Sequence, residues 1–197
     1  MILALAVLVG LGASLARHRA RAPAQIARIQ LRSAWLVLVA IALQWPLLRA
    51  PAGLTKDLGF EQALFLLSHL PLAIFVWRNR RQPAIIVVGL GMALNLLVIL
   101  ANQGFMPIGP ETLTRLRPEI APDVWPIGGH PGSSKDIILA QGEIRLWPLS
   151  DLLVLPPPFP WPAAFSIGDL VVAAGIVILL QGPRQAPASS LTRAHAG

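Results

Sequence analysis

Four polar side chains within long apolar stretches are the residues of this sequence best placed to do chemistry: Gln44, His69, Asn95 and Asp169. A polar group in apolar surroundings is costly unless it is paired, so each is a candidate for binding or proton transfer. At 1.5 Å per helical residue, all but His69 lie about 6 to 9 Å from one end of their stretches, with Asn102 just beyond; His69 lies about 15 Å in. We therefore predict a ligand-binding cluster of these five residues. The alternative is that the amides only hydrogen-bond neighbouring helices.

The acid of this set also fits a structural motif. Ser166-Ile167-Gly168-Asp169 has the S-x-x-[DE] form of a helix capping box. In that motif the Ser166 hydroxyl accepts from the backbone N–H of Asp169, and the carboxylate accepts from the N–H of Ser166. The negative charge also faces the positive end of the helix dipole. We expect Asp169 to start a helix here.

Catalytic residue patterns are weak. The four histidines are scattered without metal-ligand spacing, and the absence of cysteine excludes thiolate chemistry. Ser133 to Asp136 resembles hydrolase parts but lacks a Gly-x-Ser-x-Gly motif. His130, Asp151 and Asp169 are the remaining acid–base candidates. The sequence thus predicts no catalytic set, no metal site and no cofactor.

The elements that must position these residues are apolar blocks. Of the 197 residues, 55% are hydrophobic and 13% charged, whereas soluble domains carry roughly 25% charged residues. The blocks have about the length needed to cross a hydrocarbon core of about 30 Å. We predict one all-α membrane domain over residues 1–197, with five spans: 2–16, 34–48, 58–77, 84–101 and 165–180. A cleaved signal peptide is the alternative for the first block, but its arginines follow the apolar run instead of preceding it.

The charges sort to opposite sides of these spans. Segments 17–32 and 78–81 and the tail 181–197 contain ten arginines and no acid, and all nine acids fall on or beside the other face. The positive-inside rule places the basic side in the cytoplasm, with the N-terminus outside and the C-terminus inside. Nucleic-acid binding is disfavoured because no aromatic stacking residues are interleaved with the arginines.

Residues 102–164, between the fourth and fifth spans, form an unusually long connection. They are rich in proline and glycine but contain Trp125, Trp147 and Trp161. We predict an ordered extracytoplasmic cap, with a short helix beginning at Gly109-Pro110-Glu111. The prolines from 156 to 162 predict stiff polyproline II structure. A re-entrant segment buried by protein is the alternative.

Three stretches carry a family resemblance: Trp35 to Gln44, LNLLVILANQGFMPIGPETL (94–113) and RLWPLSDLLVLPPPFPWPAAFSIGD (145–169). The chain resembles a family of small bacterial integral membrane proteins known only as a domain of unknown function. The similarity covers nearly the whole chain and is weakest after Gln181. This sequence has Ser150 where the family usually has glycine. The resemblance implies a multi-span protein with an ordered outer loop. It does not imply an activity.

Three functions remain open. The first is a non-catalytic accessory or scaffold subunit of the bacterial inner membrane, whose partners are the lipid bilayer and other membrane proteins. The second is a binding or transport protein holding a small ligand, lipid or ion in the polar cluster beneath the cap. The third is a membrane enzyme using His130, Asp151 and Asp169.

Overall fold

The computed structural model describes residues 2–49, 58–131 and 136–182. The described chain is mostly helical, with a region of short strands between the last two long helices. The helices are α1 (Ile2–His18), α2 (Ala22–Ala27), α3 (Trp35–Arg49), α4 (Leu58–Asn79), α5 (Pro83–Ala101), α6 (Pro110–Leu116) and α7 (Ile167–Leu180).

The long helices pack side by side in an order that differs from the chain order. The last helix, α7, lies between α1 and α5, and α4 contacts both α5 and α3. Glycines allow the closest approach. A methyl group on Gly91 of α5 would lie 2.6 Å from the backbone nitrogen of Val172 in α7, and one on Gly175 of α7 would lie 2.9 Å from the carbonyl of Ala84. Small residues let backbones meet at such contacts.

Within the described residues, two helical segments are long and apolar enough to cross a membrane, namely Ile2–Ala27 and Pro83–Ala101. The apolar segments Trp35–Trp45 and Ile167–Leu180 are shorter; 14 residues rise only about 21 Å. α4 has 22 residues but carries Gln62, Ser68 and His69. All five predicted spans therefore correspond to helices, while length and apolarity support two of them as membrane-spanning.

The first basic segment is more helical than predicted. We expected a loop over 17–32, but α1 continues to His18, and a 3₁₀ turn at Arg19–Arg21 leads directly into α2. Arg19 has a φ of 48°, the left-handed region that a helix interior does not use, so α1 ends there. Pro23 lies in the first turn of α2, where its missing N–H costs nothing.

The described residues between α5 and α7 form an ordered cap, defined here as residues 102–131 and 136–166. Strand β1 (Met106–Ile108) pairs in parallel with β2 (Asp136–Ile138), and β3 (Leu153–Leu155) pairs antiparallel with β4 (Ala163–Phe165). Between β1 and β2 along the chain, α6 begins at Pro110 with Gly109 as its N-cap, as the sequence predicts. The cap is thus built from short paired segments.

One hydrophobic cluster joins the cap to the helices. Phe65 of α4 and Val98 and Ile99 of α5 pack with Phe105, Met106 and further buried cap residues. The rings of Phe65 and Phe105 are stacked with their centroids 6.4 Å apart. Burial of this apolar surface holds the cap on one end of the helices.

The prediction of polyproline II structure at the late prolines is wrong. The N–H of Phe159 donates to the carbonyl of Pro156 over 3.1 Å, which closes a turn. The Pro157–Pro158 peptide bond within it is cis. This turn connects β3 to β4. Pairing of these two strands overrides the preference of the prolines for extended structure, and the proline pattern does not reveal that pairing.

Three predicted features fall partly outside the described residues. The tail from 183 onward, which includes Arg184 and Arg193, is one, and the stretch 50–57 between α3 and α4 is another. Ser133, Ser134 and Lys135 of the hydrolase-like stretch also lie outside.

Candidate functional site

Asn95, Ser166 and Asp169 form a closed ring of hydrogen bonds between α5 and the start of α7. The amide of Asn95 donates from Nδ2 to Oδ1 of Asp169 over 2.8 Å. The hydroxyl of Ser166 donates to Oδ1 of Asn95, also over 2.8 Å. Ser166 in turn accepts from the N–H of Asp169 at 3.1 Å, and its own N–H donates to Oδ2 of Asp169 at 3.2 Å. Both bonds of the capping box are therefore present, and Asn95 extends it to a second helix.

The sequence favours this ring locally. Ser166 has an extended backbone, with φ −98° and ψ 170°, as an N-cap residue requires. Gly168 lies against the side-chain oxygen of Asn95 so closely that any Cβ there would overlap it. Ser166 is fully buried, with 0% of its surface exposed. Asn95 and Asp169 are half-buried, and the polar atoms of the three side chains bond to one another.

Gln44 and His69 belong to a different arrangement, on α3 and α4. Nε2 of Gln44 donates to the hydroxyl of Ser68 over 2.8 Å, and that hydroxyl donates to the carbonyl of Phe65 over 2.6 Å. Nδ1 of His69 lies 2.8 Å from the same carbonyl, so Nδ1 carries the proton and donates. The His69 ring also meets Phe65 edge-on, with centroids 5.1 Å apart. The bond between Gln44 and Ser68 joins α3 to α4, whereas the other contacts lie within α4.

Asn102 fastens the cap to the end of α5. Its Nδ2 donates to the carbonyl of Arg145 and its Oδ1 accepts from the N–H of Arg145, each over 2.8 Å. Nδ2 also donates to the carbonyl of Val98, one turn earlier in α5. Asn102 is 2% exposed. The Asn102 side chain thus both donates to and accepts from the backbone of one residue, as a neighbouring strand would in a β-sheet.

Asn79, which we did not identify from the sequence, makes the same arrangement at the opposite end of the helices. Its Nδ2 donates to the carbonyl of Arg32 and its Oδ1 accepts from the N–H of Arg32, both over 2.8 Å. Nδ2 also donates to the carbonyl of Phe75 within α4. Its position beside Arg78 and Arg80 made it look like part of a solvated turn. An asparagine at the last position of an apolar helix was the available signal.

The hydrogen bonds of the described residues do not link the five predicted ligand-binding residues into one network. Asn95 and Asp169 meet, Asn102 bonds to Arg145, and Gln44 bonds to Ser68, the neighbour of His69. A depth counted in residues from the end of each apolar stretch places Gln44 and His69 at different predicted levels in the membrane. Adjacent helices do not start at a common height, so equal counts do not give equal depth.

The acid–base candidates are not arranged as a catalytic set by the contacts of the described residues. Nδ1 of His130 donates to the backbone carbonyl of Asp136 over 2.6 Å, and its ring meets Phe105 edge-on. Asp169 is engaged with Asn95 and Ser166. Asp151 is buried within the cap, and its N–H donates to the carbonyl of Pro107. The side chains of His130 and Asp169 therefore make structural contacts.

A cleft of about 560 Å³ lies on the cap, next to α6. It is lined by charged, amide and aromatic side chains that include Glu111, Arg115, Gln141 and Trp147. Turning the Gln141 amide places its nitrogen 2.9 Å from Oε2 of Glu111, and Nη1 of Arg115 lies 3.4 Å from the carbonyl of Leu152. An aromatic surface beside convergent polar groups is typical of a small-molecule site.

Comparison with known proteins identifies a family but no characterised relative. No curated protein matches the chain. No solved structure matches it either. Residues 28–181 match the model of DUF5317, a family of unknown function, so the protein belongs to the DUF5317 family.

Proposed function

We propose that the protein is a five-span protein of the bacterial inner membrane, N-terminus outside and C-terminus inside, that serves as a non-catalytic accessory or scaffold subunit. The topology is supported by where the basic segments meet. Arg28 after α2, Arg81 before α5 and Gly182 after α7 line one cavity at one end of the helices. The cap, which carries most of the acids, packs on the other end. An excess of arginine without acids at one end is typical of the cytoplasmic side of membrane proteins.

Exposed tryptophans at both ends support insertion of the helices in a membrane. Trp35 and Trp77 lie near the bonded pair Arg32 and Asn79 and are 60% and 66% exposed. Trp161, at the cap end, is 62% exposed. Tryptophan is enriched at both membrane interfaces because its ring is amphipathic.

One observation carries the accessory role: the side chains of Gln44, His69, Asn95 and Asp169 bond to protein, and the outward faces of the helices are apolar. Leu38, Leu70, Leu90 and Leu100 each expose more than half of their surface. Such faces need lipid or apolar helices of another protein to cover them. A helix surface of this kind packs and anchors without performing chemistry.

Cysteine labelling tests the topology directly, because the chain has no cysteine of its own. Ala24→Cys on α2 and Ala121→Cys on the cap are matched, since both alanines are exposed. In intact cells an impermeant thiol reagent should label position 121 alone, and position 24 only after permeabilisation. Labelling of both in intact cells would contradict the topology. Release of the chain by alkaline carbonate would contradict membrane integration.

Native electrophoresis after mild solubilisation tests the accessory role. We expect migration well above the mass of one chain, with at least one membrane protein co-purifying reproducibly. A lone monomer with no co-purifying protein would refute this role while leaving the topology intact.

The cap cleft favours a second candidate, a binding protein for a small polar ligand on the outer face. The observation is the cleft itself, where Glu111 and Arg115 flank Trp147. Screening small polar metabolites by thermal shift, with Trp147→Ala as the comparison, tests it. Stabilisation that the variant loses supports binding, and no stabilisation by any compound counts against it.

A further inference from the structure

A second cavity, of about 660 Å³, opens at the basic end of the helices. It lies between the loop after α2, the start of α5 and the end of α7. Its walls combine two chemistries: Arg28 and Arg81 supply positive charge, whereas Ile29, Val87 and Ile178 supply apolar surface. A cavity that is cationic on one side and apolar on the other suits an amphiphile.

The two arginines of this cavity are available to a ligand. Both are exposed, and neither side chain hydrogen-bonds or pairs with any other described residue. Neighbouring Arg80 differs, because its Nη1 donates to the carbonyl of Trp77 over 2.9 Å and its guanidinium lies 4.1 Å from the centre of that ring. Of the described residues lining the cavity, none is acidic. The positive charge there is thus not neutralised by this part of the protein.

The rim of the cavity is held in place by hydrogen bonds. Nε2 of Gln82 donates to the carbonyl of Gln30 over 2.6 Å, which ties the start of α5 to the loop after α2. Asn79 holds the backbone of Arg32, which lies two residues after Gln30. Pro83 begins α5 at the rim, so the positive end of the helix dipole adds to the charge of the guanidinium groups.

We propose that this cavity binds the phosphate headgroup of an anionic phospholipid from the cytoplasmic leaflet, an inference that rests on the membrane topology proposed above. Arg28 and Arg81 contact the phosphate, since guanidinium geometry matches phosphate oxygens. The first part of an acyl chain follows Val87 and Ile178, which is 49% exposed. The apolar wall favours a lipid over a free anion, because a soluble phosphate would leave that wall uncovered.

Native mass spectrometry of the full chain, purified in mild detergent with added phosphatidylglycerol or phosphatidylcholine of matched chains, tests the proposal. The key variant is Arg28→Gln/Arg81→Gln. Its control is Arg78→Gln/Arg80→Gln, which removes the same charge from the same end outside the cavity. The cavity variant should bind phosphatidylglycerol about tenfold more weakly, and the control should stay within about twofold of the natural chain. Phosphatidylcholine, whose choline cation offsets its phosphate charge, should bind the natural chain more weakly than phosphatidylglycerol and lose less affinity in the cavity variant.

Several outcomes would overturn the proposal. Equal losses in the two double variants would show that general positive charge, and not the cavity, attracts the lipid. Displacement of the lipid by glycerol 3-phosphate at similar concentration would identify a soluble-anion site. Thermal unfolding checks that both variants fold; if the cavity double variant does not, the single variants Arg28→Gln and Arg81→Gln must each weaken binding.

The result also separates this inference from the proposed function. A chain that resists carbonate extraction but shows no preference for phosphatidylglycerol refutes the lipid site alone. A chain that carbonate releases refutes the membrane topology, and the lipid site with it.

Discussion

The side-chain amide of Asn95 donates to the carboxylate of Asp169 over 2.8 Å, which joins α5 to α7 across 74 positions of the chain. The same carboxylate accepts from the N–H of Ser166 and so caps α7. One acid therefore both starts a helix and fastens it to its neighbour.

Replacing Asp169 should separate these two roles. Asp169→Leu leaves the amide of Asn95 and the N–H of Ser166 without acceptors. The cost is about 1–3 kcal/mol for the buried N–H of Ser166 and less for the half-buried amide of Asn95. Asp169→Asn keeps one acceptor oxygen and should cost about 1 kcal/mol. Thermal unfolding in detergent measures the difference, at about 2–4 °C per kcal/mol for a chain of this size. Equal losses for the two variants would show that the charge itself is required.

Exchanging the two residues tests the ring as a unit. Asn95→Asp alone places two carboxylates in contact, so we expect a larger loss of stability than from Asp169→Asn. In Asn95→Asp/Asp169→Asn, the new amide donates to the new carboxylate while its oxygen still accepts from Ser166. The double variant should recover most of the loss seen in Asn95→Asp. Additive losses would contradict the hydrogen-bonded ring.

Glycine substitutions test the close approach of α5 and α7. A methyl group on Gly91 would lie 2.5 Å from the carbonyl of Gly168 and 2.6 Å from the nitrogen of Val172, so Gly91→Ala should lower the melting temperature by several degrees. Gly12→Ala on α1 is the control, because no atom lies within 4 Å of its added methyl group. That control should be neutral or slightly stabilising, since alanine favours helix. Similar melting temperatures for both variants would exclude the tight crossing.

Asn102 and Asn79 each hold a backbone segment by hydrogen bonds, and we expect each substitution to change hydrogen exchange only at its own end of the helices. Asn102→Ala removes the acceptor for the N–H of Arg145 at the cap, and Asn79→Ala removes the acceptor for the N–H of Arg32 at the basic end. Asn102→Ala should speed exchange of the Arg145 amide alone, and Asn79→Ala should speed exchange of the Arg32 amide alone. The two sites should respond separately because they lie at opposite ends of the helices. Exchange that rises at both amides in either variant would indicate global destabilisation instead.

The bond between Gln44 and Ser68 predicts a modest effect. Polar contacts between membrane helices contribute about 0.6 kcal/mol on average. Gln44→Leu should therefore shift the melting temperature by only about 1–2 °C. A loss above about 2 kcal/mol would assign Gln44 more than a role in helix contact.

Local patterns in the sequence determined the helices of this protein. Apolar blocks predict all five long helices, and Ser166 and Asp169 predict the capping box three positions apart, because its geometry depends only on neighbouring backbone. Pro110 predicts the start of α6 for the same reason. Sorting of arginines and acids along the chain predicts which segments share an end, and the meeting of Arg28, Arg81 and Gly182 around one cavity agrees with it.

Only the tertiary structure decided which polar residues meet. Asn95 pairs with Asp169, Gln44 with Ser68, and Asn102 and Asn79 with the backbones of Arg145 and Arg32. These pairings depend on the relative height and rotation of helices and on how the cap folds back. Those quantities follow from close packing between distant segments, such as Gly91 against Val172, and no local spacing along the chain encodes them.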